Sequence, residues 1–341
     1  MRNARNTRQR SVNAGLLAGL FALALALLIS GCGSSSSSGG EQVAVVGYST
    51  PQSVYEEKLE PAFEKTSAGS GASFTNSFGA SGDQSRAVAA GQPADLVHFS
   101  IASDMTRLVE EGQVASNWDK QKYNGIAQNS VVVLAVRKGN PQGIHSFNDL
   151  LSKKVSIITP NPFSSGSARW NIMAVYGSQI EQGKSQAQAL AAVKTVLEKT
   201  QSQPGSGRDA MTAFTQGQGD VLLTYENEAI KAEKAGENVE YIIPEDTIKI
   251  ETPIAVTKKA PPQAKKFLEF IWSEAGQKIW AENGYRPVDP KLVDPKQFPT
   301  PKGLFTIAKF GGWGKVKEQF FEEKTGLITK IEEELGVSTG S

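Results

Sequence analysis

The feature that most constrains this 341-residue chain is a succession of short apolar runs, each handing over to a helical pattern. Residues 42–47 (QVAVVG), 72–77, 94–99 (ADLVHF), 130–136 (SVVVLAV), 155–159 (VSIIT), 220–224 (DVLLT), 240–243 and 253–256 read as strands. Helical spacing is expected over 81–90, 147–151 (capped by Ser146), 167–176, 185–200, 209–216, 264–283, 304–310 and 315–335. Val54, Tyr55, Leu59, Ala62 and Phe63 mark a first helix, which Pro61 should kink or end. Alternating strands and helices call for mainly parallel sheets covered on both faces, an α/β chain. Its length exceeds what one compact core organises, so two lobes or domains are expected. No repeat is visible, which argues against a solenoid.

The N-terminus stands apart. Arg2, Arg5, Arg8 and Arg10 form a basic head, 14–28 is an uncharged apolar run, and Ile29-Ser30-Gly31-Cys32 closes it. This describes a secretory signal over 1–31. The small residues ending at Cys32 resemble a bacterial lipobox, which implies a lipid thioether on Cys32 as the mature N-terminus. The competing reading is an uncleaved anchor, but the run is shorter than the ~20 residues a spanning helix needs. Residues 32–41 then form a tether, Gly and Ser only over 33–40.

Charge and composition exclude several classes. Lys+Arg number 36 against 35 Asp+Glu, so nothing points to nucleic acid. Removing 1–31 takes away four arginines and no acid, leaving 32 basic against 35 acidic residues. Two His and one Cys leave almost no material for a metal site or an intramolecular disulfide. A secreted hydrolase is the rival class. Gly79-Ala80-Ser81-Gly82-Asp83 fails the G-x-S-x-G pattern at its last position, and no phosphate-binding G-x-x-x-x-G-K-[ST] loop is present.

Sheets of this type bind ligands beyond the carboxyl ends of their strands. Four loops there share one chemistry: Tyr48-Ser49-Thr50-Pro51, Gly79-Ala80-Ser81-Gly82, Ser164-Ser165-Gly166-Ser167, and Gly205-Ser206-Gly207-Arg208-Asp209-Ala210. Each puts small residues at a helix start, where the first N–H groups lack internal partners and the dipole is positive. Gly admits an oxygen close to the backbone, and Ser adds a hydroxyl donor. One such loop is an ordinary capped helix; four favour an oxyanion pocket.

These loops sit among longer motifs. Ile158-Thr159-Pro160-Asn161-Pro162 runs into Ser165-Gly166-Ser167-Ala168-Arg169-Trp170-Asn171, and Ala94-Asp95-Leu96-Val97, Val136-Arg137-Lys138-Gly139-Asn140-Pro141, Gly219-Asp220-Val221-Leu222-Leu223, Tyr225-Glu226-Asn227-Glu228-Ala229 and Tyr285-Arg286-Pro287 accompany them. In this order, from about 43 to 286, they resemble the bacterial sulfate-binding proteins. The resemblance implies a two-lobed type II periplasmic-binding-protein fold, each lobe a mainly parallel sheet flanked by helices, with two hinge crossovers. Lobe one would comprise 42–134 plus 252–341, and lobe two 135–251, with 131–136 and 251–256 as the crossings. It further implies a monomeric receptor for an ABC importer, held to the membrane by lipid on the extracytoplasmic side, with permease subunits as partners and no cofactor.

Carried over by motif, Ser81 would donate its hydroxyl from lobe one, Ser165, Gly166 and Ser167 would donate from a helix start in lobe two, Ala210 its amide, and Thr50 would contribute from the first loop. Tyr225 stands where the family usually has a Trp whose indole N–H binds an oxygen. Ser49, Gly82, Arg169 and Gly207 would support them. Thr50 replaces a common Asp, Ser167 a usual Gly, and Asp83 a common basic residue. About seven neutral donors, at roughly 1.5–3 kcal/mol each, are on the scale needed to hold a dianion. Sulfate only accepts hydrogen bonds, so a donor-only pocket suits it. Phosphate keeps a proton and prefers one acceptor, so Asp83 or Asp209 pointing inward would favour it; both are expected to face solvent or cap their own helices. Thiosulfate and molybdate stay open. Trp170 and His98 are expected in the core, Arg86 and Arg208 near the surface, and Glu226 and Glu228 in solvated or structural roles.

Overall fold

The computed structural model describes residues 41–337 and 339. The signal, the lipidation position Cys32 and the Gly/Ser tether lie outside the described residues.

Among the described residues there are ten strands, all but β6 and β10 on the apolar runs: β1 (Gln42–Tyr48), β2 (Ser73–Gly79), β3 (Leu96–His98), β4 (Ile126–Arg137), β5 (Ile157–Ile158), β6 (Thr200–Ser202), β7 (Val221–Tyr225), β8 (Val239–Ile242), β9 (Asp246–Val256) and β10 (Gly303–Phe305). Their order is β2-β1-β3-β9-β4-β7-β5-β6, with β8 paired to β4 and β10 to β9. Within each lobe the pairs β1–β2, β1–β3, β5–β6 and β5–β7 are parallel. The long strands β4 and β9 run antiparallel to each other and join the two lobes.

The apolar runs are continuous because both faces are covered. Along β4, Val132, Leu134 and Val136 face the core of Trp170, Met173 and Val193, while Val131, Val133 and Ala135 face Ala210, Phe214 and Ala229. In β1, Val43 and Val45 pack with Tyr55, Phe267 and Trp280, and Val46 with Val88, Met105 and Leu108. Each fully buried Val or Leu contributes about 1.5–3 kcal/mol.

Several elements differ from expectation. The helical path continues past Pro61, because the turn Tyr55–Leu59 widens and Glu60 N–H donates to the Tyr55 carbonyl five residues back. The 264–283 helix is two, Pro262–Ile271 and Glu274–Glu282, since Ser273 Oγ accepts from Gly276 N–H at 3.2 Å and starts a new helix. Residues 304–310 form β10 and a 3-10 turn, and 315–335 divide into Gly312–Phe320 and Leu327–Glu334. The helix Ala102–Glu110 and strand β6 were not foreseen.

The C-terminal segment packs against both lobes, with helix Gly312–Phe320 lying against helix Ala102–Glu110. Phe305, Trp313, Phe320 and Ile328 share a core with Trp170 and Tyr176, and the Trp170 and Trp313 rings meet edge-on at 4.6 Å. β10 pairs β9 at 246–248, beyond the crossing, which delivers the chain to this side. Along β4, 126–131 pairs β9 over 249–253 and 132–136 pairs β7.

Candidate functional site

The parallel strands β1, β2 and β3 point their carboxyl ends the same way, and each is followed by a helix start. On the other lobe, the turn after β5 leads to helix Gly166–Glu181, the one after β6 to Gly207–Thr215, and β7 runs directly into Glu226–Lys234. The two sets of turns meet. Gly82 N–H donates to the Ser164 carbonyl at 2.9 Å, and Arg208 Nη2 donates to the Thr50 carbonyl at 2.9 Å. A Cβ on Gly166 would lie 2.6 Å from Ser100 Oγ, and one on Gly207 2.9 Å from Ser167 Oγ and 3.3 Å from Thr50 Cγ2. Glycine at 166 and 207 is therefore a condition of the approach.

Thr50, Ser81, Ser100, Ser165, Ser167, Ala210 and Tyr225 are each at most 5% exposed, so each lies away from bulk water. Thr50 Oγ1 is buried without a hydrogen-bond partner. Ser165 does not cap its helix; its hydroxyl pairs with Ser167 Oγ at 2.8 Å. The first amides of that helix, Gly166 to Ala168, have no acceptor within the helix.

Two of the expected donors are otherwise engaged. Ser81 Oγ donates to Asp104 Oδ2 at 2.6 Å and accepts from Ser100 N–H at 2.9 Å. Ala210 N–H donates to the Ser206 carbonyl at 3.0 Å, an ordinary intrahelical bond, because Ala210 sits a full turn inside. The amides that start this helix are Gly207 and Arg208, while Asp209 N–H donates to the capping Ser206 Oγ. Of the supporting residues, Ser49 is buried in the first loop, and Gly82 and Gly207 stand at the contact. Arg169 Nε holds the Pro162 carbonyl at 2.7 Å, bracing the turn before Ser165. Burial pushes its guanidinium down to about 10, partly offset by Asp104, so it is cationic at neutral pH.

The carboxylates are placed as the donor-only reading requires at two positions and not at a third. Asp83 pairs with Arg86 near the surface, and Asp209 Oδ2 accepts from Ser206 Oγ at 2.7 Å. Asp104, unnoticed in the sequence, sits directly behind Ser81, with Arg107 Nη1 at 3.3 Å from its other oxygen. Glu226 forms a buried pair with Arg286, at 2.6 and 2.9 Å, a structural role; burial raises its pKa against the pull of Arg286. Glu228 lines a cavity of about 110 Å³ with Thr50, Lys231 and Tyr285, a space that Ser81, Ser165 and Ser167 do not line. His98 is fully buried between Tyr55 Oη at 2.9 Å and Thr252 Oγ1 at 3.0 Å, and burial pushes it down to about 3. A neutral imidazole locked this way is a packing element.

Neutral donors at helix starts are the kind of lining a small anion calls for. The sequence profile of the bacterial extracellular solute-binding proteins matches residues 43–286. The chain belongs to this family. A sulfate-binding protein of Synechococcus elongatus is 36% identical over 335 residues, covering 92% of this chain and 94% of that protein. A thiosulfate-binding protein of Pseudomonas aeruginosa is 33% identical, covering 81% and 88%. The solved sulfate-binding protein SubI from Mycobacterium tuberculosis is 43% identical, with a TM-score of 0.79 over 82% of this chain and 99% of that one. This solute-binding protein has the two-lobed α/β fold expected of it.

Sequence reasoning missed Ser100. The turn Phe99-Ser100-Ile101-Ala102-Ser103 after β3 carries the same signal as the other loops, small polar residues between a strand and a helix start. It was missed together with its helix, which carries Met105, Leu108 and Val109 at helical spacing.

Proposed function

We propose that this solute-binding protein captures sulfate between its lobes and delivers it to an ABC importer. The observation that carries this reading is the meeting of buried neutral donors at helix starts from both lobes, without an acidic side chain of those loops turned in. Sulfate, which accepts and never donates, fits such a lining. Thr50, Ser81, the 165–167 turn and the Gly207 helix start would line the ligand with Tyr225 close behind, and Ser81 would turn its proton from Asp104 to the anion. Binding between lobes stabilises the closed form by its differential affinity for it. The chain then works as a receptor without turnover. The relatives named for sulfate and thiosulfate support the ligand class.

In the same reading Cys32 carries the lipid, residues 33–40 supply slack, and the receptor works on the extracytoplasmic side. Lobe one would comprise about 42–134 plus 252–341, and lobe two about 135–251. Cys32→Ser should release the protein from the membrane fraction, and retention of the variant would remove the anchor from the proposal.

The test is calorimetric titration of residues 33–341 with sulfate, thiosulfate, phosphate and molybdate at neutral pH. One-to-one sulfate binding with phosphate silent is expected. Asp104 favours one alternative: if Ser81 keeps its proton on that carboxylate, the pocket offers an acceptor that suits protonated phosphate. Phosphate binding with sulfate silent would replace sulfate with that ligand.

A further inference from the structure

Ser100 belongs to none of the motif-derived positions, yet it is held from both lobes. Its amide donates to Ser81 Oγ at 2.9 Å, and its carbonyl accepts from Trp170 Nε1 at 2.9 Å. Its hydroxyl lies 2.6 Å from Tyr225 Oη and against the first residue of helix Gly166–Glu181, where a Cβ would come within 2.6 Å. The side chain is 1% exposed, and so is Tyr225. Among the described residues each hydroxyl has only the other as a hydrogen-bond partner.

Two hydroxyls bonded to each other share one proton in that bond and keep one to give elsewhere. Burial holds the Tyr225 phenol neutral, well above its ordinary range, so it remains a donor. A phenol donating into a second hydroxyl polarises it and strengthens its own donation. Ser100 Oγ is the oxygen that the first residue of that helix approaches, 2.6 Å from where a Gly166 Cβ would stand.

We propose that Ser100 is a direct ligand contact and that Tyr225 is a positioning residue acting through it: Tyr225 O–H donates to Ser100 Oγ, and Ser100 O–H donates to the bound oxyanion. This rests on the sulfate reading. It also explains how a Tyr serves at 225. The phenol need not itself reach the ligand, because Ser100 extends its donor by one hydroxyl.

The experiment is sulfate titration of the mature chain, residues 33–341, as wild type, Ser100→Ala, Tyr225→Phe and the double variant, each checked by thermal unfolding. Losing one hydrogen bond to a charged ligand should weaken Ser100→Ala about 10- to 100-fold. Tyr225→Phe, which removes a single atom and leaves the ring packed, should weaken binding about 3- to 10-fold. The double variant should bind no more weakly than Ser100→Ala, since the relay has already been cut. Ser100→Ala within twofold of wild type would overturn the proposal, as would losses that multiply in the double variant, which would make Tyr225 an independent contact. Wild type binding sulfate with Ser100→Ala unaffected sinks this inference alone. Wild type silent to sulfate overturns the ligand reading and the relay with it.

Discussion

Gly166 shows how much a single missing methyl contributes. Ser100 Oγ, Ser100 Cβ and Ile101 Cγ2 lie 2.6, 2.7 and 3.3 Å from where its Cβ would be. Gly166→Ala would overpack the contact between the lobes while leaving each lobe's own core intact. Sulfate affinity is expected to fall at least about 30-fold with little change in the melting temperature, read by calorimetry on one preparation. Glu60 makes the opposite case, a charge placed where none is wanted. Its Oε1 is buried without a partner, and only Asn76 Nδ2, at 3.1 Å, reaches Oε2. Burial pushes its pKa up to about 7, Asn76 opposes, and Glu56 and Glu64 add repulsion. The folded state therefore holds a proton that the unfolded chain releases near pH 4.5. This contribution to stability is full below that pH and lost as pH rises through about 7. Glu60→Gln should flatten the fall, stabilising the protein by about 1–3 kcal/mol at pH 8 and little at pH 4.5, as urea unfolding at the two pH values would show.

The elements were legible where one local rule decided them. Apolar runs buried on both faces announced β1, β4 and β7, and helical spacing over 185–200 announced the helix Gln186–Glu198, which Ser185 and Gln188 close with a capping box. Ser185→Ala should cost about 1 kcal/mol, seen as a drop of about 1–3 °C in melting temperature. Legibility failed where two rules competed. Phe267, Ile271 and Trp280 continue one apolar stripe across a break that Ser273 imposes by capping, and period alone cannot see the cap. The helix Ala102–Glu110 carries Met105, Leu108 and Val109 at helical spacing, a signal that the reading of the apolar runs passed over. The site was half legible. Each loop declared its chemistry, but the bond between Ser100 and Tyr225 joins positions 125 residues apart, and no local pattern encodes it. The same limit hid the engagement of Ser81 with Asp104, because a hydroxyl's proton goes to whatever acceptor the tertiary fold brings near.

In the whole molecule the contacts between the lobes around the site include the bond from Arg208 to the Thr50 carbonyl at 2.9 Å. Arg208→Ala removes that contact and leaves the amides of its helix start in place. Sulfate should dissociate several-fold faster with an almost unchanged association rate, which stopped-flow displacement would measure, because short-range contacts act mainly on release. The route to that closed form is set by β4 and β9. Their crossing stretches, 126–131 and 249–253, are hydrogen-bonded to one another in antiparallel register. Two separate cords would let the lobes twist, slide and sway. A laddered ribbon flexes across its face, but it resists shear, since every rung fixes how far one strand can advance past the other. It behaves as a leaf spring with a single soft direction. In the proposed receptor, the halves of the pocket would thus be steered along one arc, and Ser100 would return to the same place against Gly166 on every cycle.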